Sequence, residues 1–240
     1  MIRFLIPLIL FSSISFSQLP DTTQKQVRIK SKNFFNVNFI DNGFGLSFTH
    51  YKRKNYKVFK STSFSASHIK HPKEVKIPTF LLFEFIPYKL NHIYIIQLSQ
   101  GKEKLLIDHP IPKTGIKIYK NTTIGTTVAI EKPVYIDYWG PYNYRFRVPY
   151  NPDVHPNYHR ITDVYSLHGF LSPTFKVGLS SEFSLAFEFW GEKSGYNQIH
   201  LGFNPQCFIQ PVEIMYKIDP SRFFLNLFIR YSVGQHKAGY

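Results

Sequence analysis

Phe223-Phe-Leu-Asn-Leu-Phe-Ile-Arg-Tyr-Ser-Val233 alternates with a period of two over eleven residues. Phe223, Leu225, Leu227, Ile229, Tyr231 and Val233 share one face. Asn226, Arg230 and Ser232 share the other, and Phe224 and Phe228 break the pattern. A period of two belongs to a β-strand with two chemically different sides. The segment has about the length that a tilted strand needs to cross the hydrocarbon layer of a bilayer.

Working outward, the same pattern recurs. Phe44, Leu46 and Phe48 oppose Gly45, Ser47 and Thr49, and Tyr94, Ile96 and Leu98 face away from Gln97 and Ser99. Ile116, Ile118, Ile124, Val128 and Ile130 form one face of the next segment, with Gly125 opposite, where it eases a bend in a long strand. Phe183, Leu185, Phe187 and Phe189 alternate with Ser184, Ala186 and Glu188, and a hairpin-type turn over 191–195 leads to Ile199, Leu201 and Phe203. The pattern predicts eight strands, at 42–51, 56–69, 91–100, 114–130, 165–176, 181–190, 197–209 and 222–233, with 33–41 as a lead-in.

Alternation alone does not say which face is inside. In a soluble sandwich the apolar face is the core and the polar face meets water. Here the polar faces are mostly small and neutral, with isolated charges, where a solvated sheet would carry many Lys and Glu. Tyr51, Tyr56, Trp190, Tyr196 and Tyr231 also fall near predicted strand ends, where the aromatic girdles of a membrane barrel belong. The expected architecture is therefore all-β: a single antiparallel transmembrane β-barrel of eight strands. A lumen of that size is just filled by side chains. Glu188, His200 and Arg230 are the expected lumen network, since a charge left unpaired there is costly.

Residues 1–17 read as a cleaved signal peptide: Arg3, an apolar core from Phe4 to Phe11, then Ser15 and Ser17 at the −3 and −1 positions, leaving 18–240 as the barrel domain. Cys207 is the sole cysteine, so no intramolecular disulfide and no thiolate cluster can form. The formal net charge of +14 favours phosphate-rich or acidic partners. For an exported chain these are outer-membrane lipid, lipopolysaccharide or other envelope proteins, not nucleic acid. The densest basic cluster is Lys52-Arg53-Lys54 with Lys57.

Chemistry is harder to find. Asp153, His155 and His159 have metal-like spacing, but it suits a helix, and Pro156 interrupts it; an exposed aromatic loop is the plainer reading. No Gly-x-Ser-x-Gly elbow, phosphate-binding glycine loop or helix-borne zinc motif is present, and no cofactor or metal is expected.

Gly43 to Leu46, Ile69-Lys-His-Pro-Lys-Glu74, Tyr88 to Asn91, Lys132-Pro-Val-Tyr-Ile136, and Pro211 to Met215 followed by Phe223 to Leu227 resemble segments of a family of small outer-membrane β-barrel proteins of Bacteroidota. The fourth strand departs from it, with Thr and Ile over 121–127 where relatives carry Gly-Gly-Pro. The resemblance implies an outer-membrane location in a Gram-negative bacterium, and no reaction. With a periplasmic start, even-numbered strands end at the periplasmic rim. Because His71, Pro72, Lys73 and Glu74 follow the second strand and Lys132, Pro133, Val134 and Tyr135 the fourth, both segments are expected on that rim as a partner-docking site. The expected role is a non-enzymatic outer-membrane barrel, structural or interactive, within an envelope assembly. The alternatives are a barrel enzyme acting on lipid A or phospholipid, and an exported soluble β-sandwich that binds a ligand.

Overall fold

The computed structural model describes residues 28–78, 84–108, 116–140, 144–165, 168–190 and 196–239. The signal segment 1–17 and the turn 191–195 lie outside them, as does the side chain of Trp190. Eight long strands close into an antiparallel barrel: β1 (Arg28–Ile40), β2 (Gly43–Asn55), β3 (Val58–Ile69), β6 (Asn91–Ile107), β7 (Lys117–Pro133), β11 (Thr174–Trp190), β12 (Tyr196–Val212) and β13 (Ser221–Gly239). β1 pairs with β13 from Arg28↔Gly239 to Ile40↔Phe228, which seals the wall. Stepping once round the wall from Val58, through Lys104, Lys120, Leu185, Leu201, Ile229, Phe39 and Phe44, returns to β3 at His68. That offset of ten residues tilts the strands, as closure of a small barrel requires.

The closed wall excludes the sandwich alternative. Apolar residues point outward all round it: Phe35, Phe48, Phe64, Leu98, Ile124, Leu179, Leu201 and Leu227 are each 47–67% exposed. An apolar surface this extensive is not carried by soluble monomers. Among the described residues no helix is long and apolar enough to cross a membrane.

The predicted number of barrel strands holds, but through two errors that cancel. The expected lead-in 33–41 belongs to β1, a full wall strand. The expected strands 165–176 and 181–190 are largely one strand, β11. Gly178, Ser180 and Ser181 look like turn residues, yet Gly178 and Ser180 are buried against the lumen, where small residues are what fits. The girdle is corrected as well. Tyr51 is 2% exposed and points inward, while Tyr56 and Tyr231, 53% and 41% exposed, face out.

Phe228, one of the two exceptions in the opening stretch, has a physical reason. Phe228 faces inward, 6% exposed, directly across from Gly202 on β12. Phe34 lies across from Gly234, and Phe208 from Gly178. Large inward rings are accommodated where the neighbouring strand carries no side chain, so inward glycines and aromatics fill the tube together. Layers result. Phe34, Tyr51, Phe59, Leu105 and Tyr119 pack near the end that holds the termini. Ile69, Ile93, Ile95, Phe208, Val212 and Met215 plug the other end, and polar groups lie between.

The inward Gly125 shows how tight this packing is: a Cβ there would sit 2.2 Å from the Leu98 carbonyl oxygen, which is backbone and cannot swing away. Gly125→Ala is expected to destabilise the barrel by about 1–3 kcal/mol, read as a lower urea midpoint in detergent micelles. An unchanged midpoint would contradict this account of Gly125.

Candidate functional site: a charged lumen beneath a folded loop lobe

Inward positions of several strands bring charges together that no local motif connects. On β1, Lys32 is fully buried; its Nζ donates to Glu188 at 2.8 Å, lies 3.4 Å from Glu103, and sits over the Tyr119 ring at 4.0 Å. Glu188 also accepts from the Tyr119 hydroxyl at 3.1 Å and from Gln198 Nε2 at 2.7 Å. Gln198 Oε1 meets His200 Nε2 at 3.0 Å, and His200 Nδ1 meets Asn121 at 3.2 Å. Higher in the tube, Arg230 makes a bidentate pair with Glu182 at 2.9 and 2.7 Å, and its Nε donates to Asn38. Glu188 and His200 thus share one network through Gln198, whereas Arg230 belongs to a second one built on Glu182.

Lys32, Glu103 and Glu182 were missed for reasons of placement. Lys32 precedes the supposed lead-in, Glu103 lies past the predicted end of its strand, and Glu182 falls inside the expected strand 181–190 but just before the alternation that begins at Phe183. Continuing the period of two through these positions would have found them.

Three of the four connections at the end away from the termini, over 70–90, 134–173 and 213–220, fold into a lobe; the fourth is the two-residue turn at 41–42. The connection over 70–90 carries a two-residue ladder, β4 (Ile77–Pro78) with β5 (Glu84–Phe85). The connection over 134–173 forms a sheet of order β10-β8-β9, with β8 at Tyr135–Trp139, β9 at Arg145–Pro149 and β10 at Ile161–Tyr165. Phe85, Val134, Ile136, Tyr150 and Ile161 make its core. Backbone bonds tie the first connection to the third, with Leu90 N donating to Ile214 O and Tyr216 N to Tyr88 O, and the second to the first, with Val134 N donating to Leu90 O. Tyr88 and Lys217 flank one of these bonds with φ of 64° and 57°, left-handed conformations that non-glycine residues adopt at a cost.

His71, Pro72, Lys73, Glu74, Lys132, Pro133, Val134 and Tyr135 do lie at one barrel end, but they follow the third and fifth wall strands, β3 and β7, not the second and fourth. Counting β1 as a wall strand reverses the parity, so their end is opposite the termini. Lys52, Arg53 and Lys54 move to the terminal end. The expected docking rim also separates into two kinds of residue. Glu74 pairs with Lys89 at 2.7 Å and accepts from His71 N; Lys132 is 2% exposed beneath the Phe170 ring at 4.6 Å; Val134 is core. Lys132, near the end of β7, holds the lobe to the barrel, while the Glu74–Lys89 pair and Val134 brace the lobe internally. Gly169 packs over Lys132 and Pro133, where a Cβ would lie 2.2 Å from the Pro133 carbonyl oxygen. Pro72 and Lys73 stay exposed, His71 and Pro72 line a rim cleft of about 220 Å³, and Tyr135 pairs with Ser172.

Asp153, His155 and His159 do not converge. His155 is 7% exposed, corrected from the expected exposed loop: Tyr138 and Tyr150 flank its ring, and Asn151 N donates to Nδ1. Asp153 accepts from the Tyr216 hydroxyl, across to the third connection. Among the described residues no group of three His, Cys, Asp or Glu side chains is arranged to hold a metal.

Two predictions follow from this packing. Glu182→Leu strands the buried Arg230 charge and is expected to cost about 3–5 kcal/mol in equilibrium unfolding, most of it regained in Glu182→Leu/Arg230→Met. Equal loss in the single and double variants would sink the pairing account. The second concerns His155, whose pKa is lowered by burial and which accepts a hydrogen bond at Nδ1, so the folded lobe favours its neutral form. That stability is fully present above the unfolded value of 6.5 and is lost as pH falls below it toward the depressed folded value. Lobe amides, corrected for intrinsic rates, are expected to exchange faster near pH 5 than above neutrality, and His155→Gln to flatten the dependence. A pH dependence as steep in the variant would remove His155 as the cause.

No family model matches the chain, and no curated protein matches it. Among solved structures it is similar to Neisserial surface protein A (NspA), at 7% identity and TM-score 0.40, covering 86% of this chain and 94% of that one. It is also similar to the N-terminal β-barrel domain of Pseudomonas aeruginosa OprF, at 8% identity and TM-score 0.39, covering 87% and 98%. A third is Ail, the attachment invasion locus protein of Yersinia pestis, at 8% identity and TM-score 0.37, covering 85% and 93%. These matches concern shape, and the barrel assignment rests on the strand pairing itself.

Proposed function

We propose that the chain is an integral outer-membrane barrel of a Gram-negative bacterium whose folded lobe binds another envelope protein. The lumen is a packed interior in this reading, and the barrel serves as the mount. The outward apolar wall calls for lipid around it. The termini and the two-residue turn at 56–57 share one end, while the connections of 21 and 40 residues share the other. Short periplasmic turns and long external loops are the habit of such barrels. The lobe is therefore external, the reverse of the periplasmic rim expected from sequence.

The observation that carries an interaction role is the side of β9 that, among the described residues, no other strand pairs. In the order β10-β8-β9 it is an edge strand, and it presents Arg145, Phe146 and Arg147 at the surface, with Trp139 opposite Arg145 on β8. An exposed strand edge carrying aromatic and arginine side chains suits strand addition by a partner, with the arginines favouring acidic residues. Asp137 holds both arginines, at 2.8 and 3.1 Å, so the edge is presented in a fixed form. Membership in the Bacteroidota barrel family belongs to the same proposal and rests on the segment resemblances alone.

Extraction from the native membrane in mild detergent is expected to bring a partner with the wild-type chain. Phe146→Asp/Arg147→Glu is expected to lose the partner while retaining heat-modifiable gel mobility. Recovery of the wild-type barrel alone would overturn the interaction role.

A further inference from the structure

The outer wall carries a charge pattern that neither the lumen nor the lobe uses. On four adjacent strands, in the order β7-β6-β3-β2, an exposed lysine follows an outward apolar residue at the same spacing. Lys52 lies four residues from Phe48, Lys60 from Phe64, Lys102 from Leu98, and Lys120 from Ile124, each time toward the terminal end. The outward positions between are polar: His50, Thr62, Gln100 and Thr122. Four residues are about 13 Å of strand. In a wall tilted by roughly 40° that is about 10 Å along the barrel axis, the step from hydrocarbon to headgroups.

These lysines are also one another's neighbours. Lys52 is registered with Lys60, Lys60 with Lys102, and Lys104 with Lys120. Like charges directly opposite on a sheet repel. None of the five is paired with a carboxylate among the described residues; the nearby Asp108 is taken by Lys117 at 3.0 Å. On the other side of the barrel, Phe187 and Ile199 occupy outward positions near the terminal ends of β11 and β12; past β2, Ser31 is registered with Lys52 and with the exposed Lys237 of β13, where the row of lysines ends.

We infer that Lys52, Lys60, Lys102, Lys104 and Lys120 form a binding arc for the phosphate headgroups of anionic phospholipids in the leaflet nearest the termini. Phosphates set between the ammonium groups remove the repulsion that the bare ladder carries. The long side chains reach the headgroup plane while their methylenes stay against the wall. This inference rests on the membrane reading and assigns the barrel a preferred lipid on one flank. Lys54 and Lys57 lie farther toward the terminal end and extend the attraction without belonging to the ladder.

The test uses the full chain reconstituted in phosphatidylcholine bilayers with spin-labelled phosphatidylglycerol or spin-labelled phosphatidylcholine as probe. The motionally restricted signal is expected to favour phosphatidylglycerol by about threefold or more, and high salt is expected to weaken that preference. Replacing the five lysines by Gln is expected to bring the ratio close to one, and Lys60→Gln/Lys102→Gln to give an intermediate ratio should the fivefold variant fail to fold. Lys70→Gln/Lys73→Gln/Lys217→Gln, at the other end, is expected to keep the wild-type ratio. An unchanged ratio in the folded ladder variants, or an equal fall in the lobe-end control, would overturn the inference. So would loss of the preference when inorganic phosphate replaces chloride at equal ionic strength, because the arc would then be a free-anion site. Absence of any restricted lipid signal from the wild type would instead refute the membrane reading itself.

Discussion

Pairing of β1 with β13 is the interaction on which everything else depends. An open eight-stranded sheet would expose two edges of unpaired backbone groups, a cost that no lipid environment can relieve. Once the wall is closed, every strand has two partners, and the side chains are released from having to cover an edge. Only then can the outward face be largely apolar and the inward face carry the charged and polar groups. The inversion of inside and outside is thus a consequence of closure, and the register offset of ten residues sets how wide the enclosed space is.

That space is narrow enough for side chains to reach across. Lys32 meets Glu188 over 156 positions of sequence, and Arg230 meets Glu182 over 48. Charges enclosed in this way must find partners, and each network satisfies most of its members through neutral amides and hydroxyls such as Gln198, Asn121 and Tyr119. Phe59 and Tyr119 pack directly against Lys32, and the apolar plug at the lobe end closes the tube on the other side. A filled, ion-paired interior makes the tube stiff, which suits it to hold the lobe in one place.

The lobe depends on the barrel in turn. Its core is small; the Glu74–Lys89 pair closes the connection over 70–90 on itself, the Lys132 ammonium beneath Phe170 joins the lobe to β7, and backbone bonds reach the connection over 213–220. Several residues singled out in the sequence as a recognition surface therefore serve as fasteners. In the proposed interaction role, recognition falls to the edge strand β9 and its neighbours, which carry no repeat or motif to announce them.

The faces of the strands were legible because alternation is a property of one strand at a time. Phe183 to Phe189 and Phe223 to Val233 declare two sides without reference to anything else. Inwardness of Glu188, His200 and Arg230 followed from the same rule. Strand identity was less secure wherever lumen packing mimics a turn, as at Gly178 to Ser181, or where an early strand lacks a preceding hairpin, as in β1. One such error was enough to invert the assignment of every rim. The sequence alone determined the period, the two chemistries of each strand, and the absence of disulfides. Tertiary structure decided which strands meet, in what register, which charges pair, and which end bears the lobe. Those outcomes depend on closure around the barrel, a constraint among distant residues that no local pattern encodes.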